Sequence, residues 1–281
     1  MATQAMTPRL RIAPRALVLE IGSGHRPHPR ADILTDKYME DIERGGKLVA
    51  DRPFVQADAE QLPFKPKAFD YVICRQVLEH LEKPVDFFEE VSRVGHGGYI
   101  EAPSVIWEHM HPCRTYHRWY VLEVDNRIVM MQKPPQSRSI FGQLFEVLNR
   151  NSPEYRLFLR RYADLFYVRY QCQDAVEYCV DPEDERYRSW FAEPWDIEKA
   201  ESFVTRRTMA QQALDLLFGA FGSVWGGLWR LLPKPRFAPR HQVELAALMQ
   251  CPVCRHQVIK IDDDRAHCTA CGWSTIVFLP V

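Results

Sequence analysis

Short apolar runs separated by polar turns recur through the first hundred residues, and their spacing predicts the elements. Leu17-Val18-Leu19 runs into Glu20, and Ile33-Leu34 runs into Asp36. A third run starts at Val55, and Ala68-Phe69-Asp70-Tyr71-Val72-Ile73-Cys74 is a fourth. The fifth, Gly97-Gly98-Tyr99-Ile100-Glu101-Ala102-Pro103, is entered through a glycine pair. Such runs, bounded by turn residues, read as buried strands. Within residues 87–94, Phe88, Val91 and Val94 share one face of a helix. Only ten residues part Gly22 from Ile33, and Pro27 and Pro29 interrupt them. A parallel crossover ordinarily takes about a dozen residues or more, with a helix, so one turn of helix or none is expected there. Residues 37–46 read as a short helix stopped by Gly45-Gly46, and Asp51-Arg52-Pro53 as a connector whose charges face solvent.

Past residue 103 the alternation gives way to other patterns. Residues 104–118 read as an ordered loop in which an extended backbone sends His109 and His111 to one side. Residues 118–133 read as a β-hairpin around Asp125-Asn126, two residues that tolerate a tight turn. Residues 141–170 have helical character, 175–180 read as a late strand of the main sheet, and 181–195 as a charged loop. In that loop Trp190, Phe191 and Trp195 are expected to make aromatic core contacts rather than line a pocket. Residues 209–221 are strongly helical, and an apolar stretch follows to Leu232, with Arg206 and Arg207 before it and Lys234, Arg236 and Arg240 after it. Packing on the main domain is the expectation. The alternative is peripheral membrane contact through 205–232; Asp215, Arg230 and the glycines argue against a span.

Composition narrows the class. The 281 residues are 46% hydrophobic and 26% charged, with a net charge of −1, so no electrostatic signal points to nucleic acid. The first fifteen residues contain no apolar core of signal-peptide length, which suggests a flexible tail and a cytoplasmic location. Of eight cysteines, four stand as Cys251-x-x-Cys254 and Cys268-x-x-Cys271 with thirteen residues between the pairs. Two such knuckles supply four thiolates for a closed, tetrahedral structural Zn²⁺ site, and the metal would support a segment too small for its own core. The chain is thus read as a tail (1–15), a main domain (16–244, core 16–103) and a ribbon (245–281).

The chemistry lies in the turn Ile21-Gly22-Ser23-Gly24, with Glu20 before it and Asp36 sixteen residues after Glu20. The dinucleotide fingerprint needs glycine where Pro27 stands, which makes a poor pyrophosphate cradle and disfavours an NAD-dependent oxidoreductase. Instead, E-x-G-x-G resembles motif I of the class I S-adenosylmethionine-dependent methyltransferases. The segment Asp58-Ala59-Glu60-Gln61-Leu62-Pro63-Phe64 and the Val77-Leu78-Glu79-His80 that follows the fourth strand resemble their type-11 subgroup. Arg26 occupies the place of the third motif glycine. The expected fold is therefore α/β, a Rossmann-like class I methyltransferase sheet with helical and hairpin insertions plus a small C-terminal zinc ribbon.

The resemblance implies that Glu20, Gly22 and Gly24 hold the methionine end of S-adenosylmethionine, Asp36 the ribose, and Asp58 with Ala59 the adenine. Arg75 would face cofactor or acceptor. His111, Tyr116 and His117 are candidates for acceptor contact or for a general base; a metal site from His109, His111, Cys113 and His117 is a further reading. The cysteine knuckles after Leu248-Met249-Gln250 resemble Trm112-like ribbons, which bind and activate methyltransferases, so a ribbon in cis would brace the domain. The expected function is methyl transfer to a small-molecule, glycan or lipid acceptor. The alternatives are an RNA or protein methyltransferase docking through the ribbon, and a non-catalytic scaffold.

Overall fold

A computed structural model describes residues 10–40, 45–111, 116–134, 143–204, 241 and 243–279. The five apolar runs form β1 (Val18–Ile21), β2 (Ile33–Asp36), β3 (Phe54–Gln56), β4 (Tyr71–Arg75) and β5 (Gly97–Pro103). They pair in parallel in the order β3-β2-β1-β4-β5. Strands covered on both faces need continuous apolar sequence, and Val18, Leu19, Ile33, Leu34, Phe54, Val55 and Ile73 are all fully buried. Helix α1 (Pro84–Val94) makes the β4–β5 crossover and buries Phe87, Phe88, Val91 and Val94.

The short β1–β2 crossover carries no helix. Side-chain hydrogen bonds tie it down instead. Arg52, only 4% exposed, donates to the carbonyls of His28 (3.1 Å) and Ala31 (2.9 Å), so this charge does not face solvent as expected. A guanidinium can satisfy several carbonyls that an absent helix leaves unpaired. The described part of the stretch read as a short helix, 37–40 and 45–46, is also non-helical.

Three further readings change. After β5, Ser104 caps a helix, α2 (Val105–Met110), its Oγ accepting from the Trp107 amide, so His109 and His111 do not lie on an extended loop. Helices α3 (Leu144–Asn151), α4 (Pro153–Arg161) and α5 (Ala163–Phe166) fill the predicted helical region, but it ends in a strand, β8 (Tyr167–Gln173), antiparallel to β5. Tyr167, Val168 and Tyr170 are buried there, and pairing with β5 overrides the helical pattern. The hairpin forms as β6 (Trp119–Val124) and β7 (Arg127–Gln132), with Asp125 and Asn126 both at positive φ. However, β9 (Tyr178–Val180) joins β7 in a separate three-stranded sheet, not the main one. The expected loop at 181–195 contains α6 (Glu185–Ala192), capped by Asp184, and is followed by α7 (Ile197–Phe203). Trp190, Phe191 and Trp195 pack beside Tyr187 and Phe203, as expected.

At the other edge, α8 (Leu245–Leu248) leads into β10 (Ile259–Asp262), β11 (Arg265–Cys268) and β12 (Ser274–Phe278). β12 pairs antiparallel with β3, so the ribbon's sheet continues the main sheet to nine strands, from β10 to β8. Among the described residues no helix is long and apolar enough to cross a membrane, and the stretch 205–232 lies outside them.

Candidate active site

The C-terminal ends of β1, β2 and β3 lie side by side, and the sequence-predicted acids gather there. Gly22 and Gly24 turn the chain at φ +67° and +57°, conformations costly for any residue with a Cβ. Gly22 also lies against Val77, whose Cγ2 would be 2.3 Å from a Cβ built there. The Gly24 amide donates to Asp36 Oδ2 (3.0 Å) and the Tyr38 amide to Oδ1 (3.1 Å), which ties the turn to the end of β2.

Glu20 is fully buried. Its Oε1 accepts from Arg75 Nη2 (2.6 Å) and Nε (3.2 Å), and its Oε2 from the His28 amide (2.5 Å). Burial pushes the Glu20 carboxyl up; Arg75 and the His28 amide oppose the shift without cancelling it. Arg75 also donates to the Arg26 carbonyl (2.8 Å), so the proline-rich crossover folds back over the acid. Sequence reasoning placed both residues at the site but missed that they pair. The signal was their position at the ends of what became adjacent strands, with Ile21 opposite Cys74.

Asp58, two residues past β3, pairs with Lys37 Nζ (2.7 Å) and accepts from the Glu60 amide. Burial lowers the Lys37 ammonium, but the Asp58 carboxylate beside it wins and raises it. Ala59 is buried in the core next to this loop. Between Asp58 and the ribbon lies a pocket of about 200 Å³ lined by Lys37, Asp58, Gln61, Pro252 and Trp273, among others.

The loop after Asp58 is held by the ribbon. Pro63 accepts from the Gln250 amide (3.1 Å), the Lys65 amide donates to Leu248 (2.9 Å), and Gln61 Nε2 donates to Pro252 (3.2 Å). Thr275 Oγ1 donates to the Gln56 carbonyl (2.5 Å).

A second polar cluster follows β4. Glu79 and His80 lie in a 3₁₀ turn (Leu78–His80), and His117 comes in at the foot of β6. Two bonds join these pieces: Arg118 N to Glu79 O (2.6 Å) and Trp119 Nε1 to Leu81 O (2.8 Å). His117 Nδ1 lies 2.6 Å from Glu108 Oε1, and Lys133 Nζ 2.6 Å from Oε2, all three side chains being buried. Burial raises the Glu108 carboxyl, but the His117 hydrogen bond and the charges of His117 and Lys133 outweigh it and hold Glu108 below the ordinary carboxylate value. Tyr116 stacks on the His80 ring (5.5 Å) and meets His117 edge-on. His111 is elsewhere, buried and stacked on Trp107 at 3.9 Å, and His109 stacks on Tyr120. Of the three acceptor candidates, Tyr116 and His117 therefore come together and His111 does not. Cys113 lies outside the described residues.

Cys251, Cys254, Cys268 and Cys271 cluster. Cys251 and Cys271 Sγ are 3.6 Å apart, as are Cys254 and Cys268 Sγ. Four thiolates at about 2.3 Å from a tetrahedral Zn²⁺ stand about 3.8 Å apart, so the donor set fits the ion. Burial raises the Cys268 thiol, but the Cys271 and Ala270 amides and the Cys254 and Cys251 thiols draw it down to about 6, while thiol–thiol hydrogen bonds in the same cluster push Cys254 up to about 12 and raise Cys271.

Residues 33–100 match the model of the type-11 methyltransferase domain family. This part of the chain is a methyltransferase domain. The match runs from β2 into β5 and takes in Asp36, Asp58, Ala59, Arg75, Glu79 and His80. The methyltransferase domain is also similar to solved structures. The YcgJ protein of Bacillus subtilis is 22% identical over 36% of this chain and 55% of that one (TM-score 0.28). A chain from the complex between the Haloferax volcanii Trm112 methyltransferase activator and a methyltransferase is 17% identical over 41% and 65% (TM-score 0.30). Phosphoethanolamine N-methyltransferase 2 of Haemonchus contortus, solved with S-adenosyl-L-methionine, is 19% identical over 31% and 24% (TM-score 0.26). Each alignment spans less than two thirds of the structure matched, and at these scores the likenesses carry no argument of their own. No curated protein matches the chain.

Proposed function

We propose that the chain transfers the methyl group of S-adenosylmethionine to a small-molecule, glycan or lipid acceptor. The observation that carries this reading is the convergence of Glu20, the Gly22–Gly24 turn, Asp36 and Asp58 at the ends of three adjacent parallel strands within and beside a methyltransferase domain. Ligands of open α/β sheets bind outside the carboxyl ends of the strands. The cofactor's methionine end is a zwitterion, and the buried Glu20–Arg75 pair places one charge of each sign beneath the glycine turn. Asp36, anchored by the Gly24 and Tyr38 amides at the end of β2, takes the ribose hydroxyls. Asp58, with Ala59 behind it, takes the adenine amine.

The cofactor supplies an activated methyl carbon for in-line displacement, and the protein's part is chiefly positioning. Tyr116 and His117 face the acceptor side. The zinc ribbon braces the adenine loop in cis, through its contacts with Gln61, Pro63 and Lys65. The thiols of Cys74, Cys172 and Cys179 suit a reducing, cytoplasmic setting. Calorimetric titration of zinc-replete protein with S-adenosylmethionine tests the reading. Saturable binding that Asp36→Ala abolishes is expected; folded wild-type protein that binds neither S-adenosylmethionine nor S-adenosylhomocysteine would sink it.

A further inference from the structure

We propose that Glu79, His80 and His117 form a divalent-cation site on the acceptor side of the domain, and that the cation ligates the acceptor's oxygen. The second half of this proposal rests on the methyltransferase reading; the first does not. Among the described residues, only two groups of His, Cys, Asp and Glu side chains can offer one ion three or more ligand atoms: the ribbon cysteines and this triad. The triad's ligand atoms all lie within 4.8 Å of one another. Ligands on an ion at 2.0–2.2 Å stand roughly 3–3.6 Å apart, so a modest inward shift of the three groups closes the set.

Three features argue for a cation rather than an ordinary polar cluster. The first is the donor set, two imidazoles and a carboxylate, which binds a divalent metal on one face and leaves the other positions open. The second is the position of His117, whose Nδ1 lies 2.6 Å from Glu108 Oε1 while Lys133 Nζ lies 2.6 Å from Oε2. A carboxylate on the far nitrogen is the usual support of a metal-bound histidine. The third is rigidity with access: the 3₁₀ turn and the foot of β6 are tied by two hydrogen bonds, while the His80 side chain is 38% exposed and opens the cluster to solvent.

The place also suits the chemistry. Glu79 is two residues beyond Val77, whose methyl lies against Gly22 in the cofactor turn. A hydroxyl bound to the cation loses its proton to solvent at the open His80 side. Its oxygen lone pair then forms the bond to the methyl carbon as the carbon–sulfur bond breaks and that pair returns to sulfur, leaving a methyl ether and a neutral thioether. The substrate class is thus a metal-chelating oxygen acceptor, such as a vicinal diol.

The test is Mn²⁺ binding to the full, zinc-replete chain, read by loss of the free-ion electron paramagnetic resonance signal. One Mn²⁺ per chain is expected, weakened at least tenfold in His80→Ala, an exposed position that leaves the fold intact, and likewise in Glu79→Gln. No saturable binding by wild type, or equal binding by His80→Ala, would overturn the site. Catechol, as a vicinal-diol probe, is expected to lower the water-proton relaxation of bound Mn²⁺; no change would overturn the acceptor role. S-adenosylmethionine calorimetry on the same samples separates the two readings, since Mn²⁺ binding without cofactor binding condemns the methyltransferase reading and the acceptor role that rests on it but not the cation site, and cofactor binding without Mn²⁺ binding condemns only the cation site.

Discussion

Gly22→Ala probes the point where the glycine turn after β1 meets Val77. Two costs add. Alanine at φ +67° carries about 1–2 kcal/mol of left-handed strain. Its Cβ would also stand 2.3 Å from Val77 Cγ2, and a β-branched side chain has little rotamer freedom with which to retreat, so overpacking adds about 1–3 kcal/mol. The single variant is therefore expected to lose about 2–5 kcal/mol in urea unfolding. The steric part can be isolated, because Val77 Cβ is 3.7 Å from the same point, an ordinary contact. Val77→Ala should then remove the clash and keep the strain, giving a coupling of about 1–3 kcal/mol in the double-mutant cycle. Because the displaced turn carries the Gly24 amide that holds Asp36, S-adenosylmethionine affinity should fall in the single variant and recover in part in the double. Gly22→Ala with wild-type stability, or strictly additive variants, would refute the argument that Val77 sets the closeness of this turn.

Four further outcomes follow from the same structure. Lys133→Met leaves Glu108 with His117 alone in a buried setting and should cost about 3 kcal/mol or more, measured by urea unfolding at neutral pH. Glu108 is held below its ordinary value of 4.5, so its contribution is complete above that pH and is lost as pH falls through the folded value; the unfolding midpoint of wild type should drop below pH 4.5 more steeply than that of Glu108→Gln. Thr275→Val removes the hydroxyl that bonds to Gln56 and should cost about 1 kcal/mol in thermal unfolding. Stripping Zn²⁺ with a chelator should lower both the melting temperature and S-adenosylmethionine affinity, because the first knuckle and α8 hold the loop after Asp58; unchanged affinity in the metal-free, folded chain would separate the ribbon from the site.

What the sequence determined by itself was local. Apolar runs and the residues that end them marked β1 to β5, because a strand buried on both faces must be apolar throughout. Glu20-x-Gly22-x-Gly24 and the spacing of the cysteine knuckles were legible for a similar reason: their chemistry is fixed by neighbours a few residues apart. Asp125-Asn126 was legible because a tight hairpin turn selects for residues that accept positive φ. Tertiary structure decided which of these pieces meet. Tyr167 to Gln173 is a strand because β5 offers it an edge, and Tyr178 to Val180 leaves the main sheet because β7 takes it instead. Arg75 closes on Glu20 across 55 residues, and Thr275 reaches Gln56 across 219. His117 meets Glu108 and the turn after β4 only because β6 brings it there, while His111, six residues earlier, is carried off by α2 to stack on Trp107. Residue type announces what a side chain can do, but the long-range pairing that lowers its freedom and excludes its water decides whether it does so.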